Sequence, residues 1–337
     1  MLAATGDNNS IRTTHVKIGF YDDYRPCVIK DNQVIDISAE VGAPAGFPPQ
    51  ALLELIINNF ANLRGRIEKA SAKPIPLDKV KLRAPVPRPG KVLCGERNYM
   101  EGVPLDPPGP MKSFFKSPDA VIGPGEDVIL PAFKPTVFNH EAELGIVIGK
   151  TAKNIGIGEA LNHVFGYTTC VDVSARRPAE GEADLPGSYG KCFDTFLPVG
   201  PWIVTADEIK NPNSLQVRYR VNGEVRQNYN TSDMEHGVPF FIATLSHCMT
   251  LKPGDLLLAG TNHAYLGPLQ DGDQCEIEID GIGVNPHRIK DPYKRSWKVV
   301  LRDPKQPGEN RHAMREKHHP GTWPFKAVGG QPASGGK

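Results

Sequence analysis

Three acidic residues carry the clearest chemistry in this chain. In the run FNHEAELGIVIG, Glu141 and Glu143 are separated by a single residue, and everything after them is apolar or glycine. If this segment is a strand, the two carboxylates share one face, roughly 6–7 Å apart at about 3.3 Å per residue. Burying two carboxylates side by side is costly unless a cation compensates them. A second strand-like run ends in VDVSAR and adds Asp172. Three hard oxygen ligands with no neighbouring thiol or imidazole ligand suit Mg2+, Mn2+ or Ca2+ rather than zinc. On its own, the Glu-x-Glu pair also fits the exposed half of an amphipathic edge strand. His140 adjoins Glu141, but in a strand it points to the opposite face and is not expected to be a ligand.

Composition narrows the setting. The 337 residues are 39% hydrophobic and 23% charged, ordinary values for a globular protein with a full core. A formal net charge of +1 gives no electrostatic reason to expect nucleic acid or a membrane surface as partner. No apolar run reaches the roughly 18 residues of a membrane-spanning helix. The opening residues, MLAATGDNNSIRTT, lack the basic segment and apolar core of a signal peptide, so a cytoplasmic protein is expected. Six cysteines are scattered without a C-x-x-C pair, which argues against zinc-finger or thioredoxin chemistry and for free thiols.

The elements that must position the acids read as short strands. Proline (32) and glycine (34) are abundant, as many tight turns require. From Val16 to Ser38 apolar and polar residues alternate around a turn at Asp31-Asn32. Residues 48–70 switch to helical spacing, with a proline start and Leu52, Leu55, Ile56, Phe60 and Leu63 on one face. A proline-rich stretch then closes a small N-terminal α+β domain over residues 15–85, after a disordered terminus at 1–14. The main body, residues 86–302, holds the strand-like runs KVLCG, DVILP, ELGIVIG, VFGYTTCVDV, PWIVT, LQVRYRVNG, DLLLAG and QCEIEIDGIG. GIGEALNHV and VPFFIATLSHCM read as short helices. A β-rich α+β fold is expected rather than a doubly wound sheet. Residues 303–337, including His318-His319, read as a solvated tail or an arm that orders on a partner.

In order, the chain reads GERNYMEG, FFKSPDAVIGPGE, NHEAELGIVIGK, VDVSARR, YGKCFDTFLPVGPWIVT, VNGEVRQNYNTSDM and LKPGDLLLAGT. This series resembles the fumarylacetoacetate hydrolase family, acylpyruvate hydrolase- and 2-hydroxyhepta-2,4-diene-1,7-dioate isomerase-like members included, throughout residues 86–285. The resemblance implies a distorted roll of mixed β-sheets, a homodimer, and Mg2+ or Mn2+ on Glu141, Glu143 and Asp172. It implies a substrate that chelates the ion through a 2-oxo acid or 1,3-dicarbonyl unit. Lys191 matches the family lysine near the metal and the substrate oxygens. Thr261, in the AGT turn, matches a threonine that binds a substrate carboxylate or carbonyl. Arg176 matches an arginine facing the pocket. Phe115, Lys116 and Ser117 match the stretch lining its other side, with Ser117 in place of the usual proline neighbour. Asp194 is expected to bond backbone groups in the GKCFD turn.

The pattern breaks at the base. Many hydrolytic members carry N-Y-x-x-H followed three residues later by glutamate, a dyad that activates water. Here Asn98-Tyr99-Met100-Glu101-Gly102 puts glycine at the histidine position, and Ala179 replaces a glutamine that follows the pocket arginine. Glu101 and His263 are the two candidate substitutes. Their plainer readings are a solvated lid charge and an incidental loop histidine. The expected activity is metal-dependent hydrolysis of a C–C bond in an acylpyruvate or related diketo acid. The alternative is a decarboxylase, dehydratase or tautomerase working on a 2-oxo acid through a metal-stabilised enolate, which needs no activated water. A catalytically inactive metal- or ligand-binding homologue is the reading from another class.

Overall fold

The computed structural model describes residues 16–303 apart from 45, 105–107, 182, 184, 186 and 187. The disordered terminus expected over 1–14 lies outside the described residues, as do the tail after residue 303 and its His318-His319 pair.

A twelve-stranded mixed sheet organises the molecule. Its middle is formed, in spatial order, by Leu197–Thr205, Val164–Val171, Ala142–Ile148 and Leu256–Leu258. Every residue of these strands is buried, as the near-continuous apolar runs require of strands covered on both faces. Beyond Leu197–Thr205 the sheet continues through Lys17–Tyr21, Arg25–Lys30 and Gln33–Asp36; beyond Leu256–Leu258 it continues through Val92–Glu96 and Lys112–Lys116. Leu256–Leu258 runs parallel to Val92–Glu96, while its other neighbour, Ala142–Ile148, is antiparallel.

A second sheet contains Glu224–Asn230, Gln216–Val221, Gln274–Ile279, Gly283–Lys290 and Asp127–Ile129. Gln216–Val221 and Gln274–Ile279 alternate buried and more exposed residues, so one face of this sheet packs inward. Between the two sheets the His140 ring stacks on Tyr219 at 4.3 Å, and the Tyr219 hydroxyl meets His287 Nε2 at 2.8 Å. Strands dominate and helices are few, the β-rich α+β architecture that the sequence predicts.

The N-terminal elements form where their patterns place them. Asp31 and Asn32 have φ of 47° and 59°, the left-handed pair that a two-residue hairpin needs. Pro49 opens the helix Pro49–Glu68, where a missing N–H costs no bond. Leu52, Ile56 and Leu63 are buried, with Leu55 and Phe60 half-buried against the core. The Phe60 ring meets Phe165 edge-on at 5.1 Å, and Arg64 reaches Asp207 at 2.6 Å. Lys17 and Ile18 pair with Val204 and Ile203 of the central sheet. Val238–Cys248 is an α-helix and Ile157–His163 a 3-10 helix. Cys27, Cys94, Cys170 and Cys275 are buried free thiols. Among the described residues, no helix is long and apolar enough to cross a membrane.

Candidate metal centre and its surroundings

Two neighbouring central strands build the acidic cluster. Antiparallel pairing sets Ala142 opposite Val171 and Glu143 opposite Cys170, and the Asp172 N–H donates to the Glu141 carbonyl at 2.8 Å. The two-residue period of the strands then puts Glu141, Glu143 and Asp172 on one face. One oxygen from each lies within 4.8 Å of the others. Glycine at 145 permits this close packing, since a β-carbon there would sit 2.6 Å from Cys170 Sγ and 2.8 Å from Thr168 Cγ2. The Ala259-Gly260-Thr261 turn comes up beside them, and Gly260 N–H donates to Glu143 Oε2 at 2.6 Å. His140 faces away, its Nδ1 2.9 Å from Gln227 Oε1.

Three cations reach the cluster but do not serve all three acids. The Lys191 ammonium donates to Glu141 Oε2 (2.8 Å), Asp172 Oδ2 (2.6 Å) and Ser174 Oγ (2.7 Å). Arg176 donates to Glu141 Oε1 at 2.6 Å and to Asn139 Oδ1 at 2.7 Å. Lys116, expected to bind substrate, engages all three of its protons inside the protein. They go to Asp172 Oδ1 at 2.6 Å, to the Val173 carbonyl at 3.2 Å and to the Lys191 carbonyl. It therefore holds Asp172 in place and has no donor left for a ligand.

Burial alone would raise Glu141, but Lys191 and Arg176 beside it hold its carboxyl well below the usual carboxylate range. Glu143 goes the other way: burial, then Asp172 and Glu141, push it well above that range. Burial would also lower Lys191, yet Asp172 and Glu141 keep it above the ordinary lysine value and charged. Among the described residues no ammonium or guanidinium pairs with Glu143. A buried carboxylate lacking a cation, converging with two others in an all-oxygen set, fits a hard divalent ion.

The two candidate bases turn out to be partners. His263 Nδ1 lies 2.5 Å from Glu101 Oε1, and the His263 backbone N–H donates to the same oxygen at 3.1 Å. Arg302 stands 3.5 Å from the other oxygen of Glu101. Burial would raise Glu101, but the hydrogen bond and charge of His263, with Arg302 behind, bring it below its ordinary value. An ionised carboxylate only accepts, so Nδ1 carries a proton, and whenever the ring is neutral Nε2 is the nitrogen with the lone pair. That Nε2 lies 4.0 Å from Glu141 Oε1, at the edge of the acidic cluster. Glu101 is thus not a solvated lid charge: its side chain is 11% exposed. Two contacts fix the loop, Met100 N–H to the Asp233 carbonyl (2.9 Å) and Glu101 N–H to Asp233 Oδ2 (3.2 Å).

The remaining expected residues are placed as follows. Phe115 is 51% exposed, and its neighbour Phe114 turns inward instead, with Lys191 Nζ 5.1 Å from the ring centre. Ser117 Oγ accepts from Asp119 N–H at 3.2 Å, capping a short turn. Thr261 Oγ1 donates to the Ala142 carbonyl at 2.7 Å and accepts from Gln227 Nε2 at 2.9 Å, locking the turn to the strand of the acids. Asp194 is exposed and does not hold the GKCFD turn as expected; its neighbour Thr195 ties the turn to another strand, its hydroxyl accepting from Ile129 N–H at 2.8 Å. Reading the sequence missed Phe114, Gln227, Ser174 and Arg302. Phe114, Ser174 and Gln227 stand in stretches that carry the family resemblance; Arg302 lies beyond them.

Known proteins can be set beside this geometry. Residues 91–290 match the family profile described as fumarylacetoacetate (FAA) hydrolase C-terminal. A maleylpyruvate hydrolase of Aquipseudomonas alcaligenes is 35% identical over 286 residues, 80% of this chain and 97% of that protein. A mitochondrial oxaloacetate tautomerase of Bos taurus is 37% identical over 255 residues, 72% of this chain and 80% of that one. The crystal structure of a maleylpyruvate hydrolase from Sphingobium sp. SYK-6, in complex with manganese(II) and pyruvate, superposes with a TM-score of 0.74 at 35% identity. It covers 82% of this chain and 99% of that chain.

Proposed function

Since the chain belongs to the fumarylacetoacetate hydrolase family, we propose that it hydrolyses the carbon–carbon bond of an acylpyruvate or related diketo acid. The observation that carries this reading is the His263–Glu101 pair beside the acidic cluster, which supplies the base missing from position 102.

In this reading Glu141, Glu143 and Asp172 hold Mg2+ or Mn2+, which when bound polarises the 2-oxo acid end of the substrate. The manganese(II) and pyruvate in the Sphingobium structure support that assignment. His263 Nε2 takes a proton from water, and the oxygen adds to the acyl carbonyl carbon. Glu101 fixes the tautomer and offsets the charge on the imidazolium. As the C–C bond breaks, the imidazolium returns its proton to the departing pyruvate carbon, leaving pyruvate and a carboxylic acid, which ionises to solvent. Lys191 keeps positive charge beside the substrate oxygens, and Arg176 with the Phe114–Phe115 edge flanks them. Thr261 and Lys116 hold the ligand-bearing strand ends in register. Residues 86–302 act as the catalytic module, with 15–85 as an appended unit. The working form is a cytoplasmic homodimer that binds neither nucleic acid nor membrane; a net charge of +1 supports the absence of a polyanionic partner.

The similarity to oxaloacetate tautomerases favours one second reading, keto–enol exchange of a 2-oxo diacid, in which His263 moves a proton between carbon and oxygen. Turnover of an acylpyruvate and of oxaloacetate in 18O-labelled water separates the two. Hydrolysis puts label into the carboxylate released from the acyl half. A well-used substrate released without label removes the hydrolase assignment.

A further inference from the structure

The strand of the acids loses its neighbour on one side just where the acids stand. Leu256–Leu258 pairs with it at Gly145, Ile146 and Val147, and Ala259 N–H reaches the Leu144 carbonyl at 3.1 Å. Two residues back, Ala142 lies between Glu141 and Glu143, and side chains take both of its backbone groups. Gln227 Oε1 accepts from the Ala142 N–H at 3.1 Å. The Thr261 hydroxyl donates to the Ala142 carbonyl at 2.7 Å, and the Tyr229 hydroxyl donates to it as well. Gln227 and Tyr229 both come from Glu224–Asn230, the edge strand of the second sheet.

The Gln227 amide is wholly buried and uses its full bonding capacity. Oε1 also accepts from His140 Nδ1 at 2.9 Å. Nε2 donates to Thr261 Oγ1 at 2.9 Å and to the Asn262 carbonyl at 2.6 Å. A backbone N–H only donates and a carbonyl only accepts, so the amide cannot be reversed. Its second acceptor, Asn262, precedes His263 in the chain. Asn262 Nδ2 donates to Asp233 Oδ2 at 2.7 Å, the oxygen that also accepts the Glu101 N–H at 3.2 Å. One buried amide thus ties the carboxylate strand to the loop from which both partners of the His263–Glu101 pair are held. Thr261 keeps the start of that loop on the strand by its own bond, so Gly260 stays on Glu143 without help from Gln227.

We propose that Gln227 is a positioning residue, whose amide sets the distance between the carboxylate cluster and the His263 imidazole and so the rate of the step in which His263 moves a proton. The inference rests on the reading of His263 as base given above.

A double-variant cycle tests it. Turnover of acetylpyruvate and of oxaloacetate, and the Mn2+ dissociation constant by calorimetry, are measured on the parent, Gln227→Met, His263→Gln and the pair together. Methionine matches glutamine in length but makes none of the four bonds. Gln227→Met is expected to lower kcat by about 10–100-fold, the scale of a displacement of roughly 1 Å at a reacting group. KM and the Mn2+ affinity should stay within about twofold of the parent. In the His263→Gln background the same change should cost kcat less than about twofold, because the group that Gln227 places is already gone. A residue that only supports the fold would lower kcat alike in both backgrounds. If the methionine variant does not fold, Gln227→Asn runs the same cycle, its amide one methylene too short to hold strand and loop together. Losses that multiply, or a Gln227 variant with the parent's kcat, overturn the positioning role and leave His263 as base. A His263→Gln variant with the parent's kcat, or a parent idle on both substrates, overturns both.

Discussion

Position 102 shows how one backbone choice moves a candidate catalytic group. Glu101 and Gly102 have φ of 51° and 76°, two left-handed residues in succession. Glycine takes that conformation without strain, and the turn it permits swings Glu101 onto His263. The pair predicts a particular kinetic pattern. His263→Gln should lower kcat by roughly 10²–10⁴-fold, the usual share of general-base catalysis. Glu101→Gln should cost a large part of that, because the amide no longer fixes the tautomer. If the two act as one unit, the double variant is no slower than His263→Gln alone, and the affinity for Mn2+ is unchanged in all three. Losses that multiply would separate the residues and end the dyad. Both were visible in the sequence as separate candidates. Their pairing was not, because it spans 162 residues and depends on the turn at 101–102 and on the Asp233 contacts that hold it.

At the scale of elements, the acidic face is a property of the ladder between Ala142–Ile148 and Val164–Val171. Its two-residue period was readable from the Glu-x-Glu spacing, and the unbroken apolar run marked the strand as central. Which face a strand turns toward the site is harder to read, since a slip of one residue exchanges the two sets. The family stretch offers Phe115 and Lys116 together, although neighbours in a strand face opposite sides; it is Phe114 that turns toward Lys191 and Lys116 toward Asp172. Gly145 tests the ladder directly. Gly145→Val would drive carbon into Cys170 Sγ and Thr168 Cγ2, and overpacking of this kind typically costs about 1–3 kcal/mol. The melting temperature should fall, and Mn2+ affinity with it, because the strand that carries Glu143 must move away from Asp172. A variant that loses stability but keeps the parent's Mn2+ affinity would uncouple the ladder from the site.

For the molecule as a whole, the interior between the two sheets sets its behaviour in acid. Burial, the largest influence on each, lowers His140 to about 4 and His287 to about 3. Both are neutral in the folded protein below the pH, roughly 6.5, at which they charge in the unfolded chain. The unfolded state then binds more protons, so stability falls as pH drops from about 6.5 toward the folded values. The slope approaches about 1.4 kcal/mol per pH unit for each histidine. Urea unfolding between pH 7 and 5, run on the Glu143→Gln variant because Glu143 is pushed above the usual carboxylate range, should show it. A midpoint that stays level across that interval would mean that these rings are not held neutral. The order in which the chain is made matters as well. Val92–Glu96 needs Leu256–Leu258 as its inner neighbour, and Asn98, just beyond it, donates to the carbonyl of Ala259, 161 residues later. At a synthesis rate of about 5–20 residues per second, that interval lasts roughly 10–30 s. During it the apolar edge of Val92–Glu96 stands without cover at the mouth of the ribosome. The proposed base is still less complete, because Arg302 reaches Glu101 only after nearly all the described chain has emerged. For about half of its synthesis, therefore, a nascent chain carries an uncovered apolar strand edge, and the contacts around Glu101 close last.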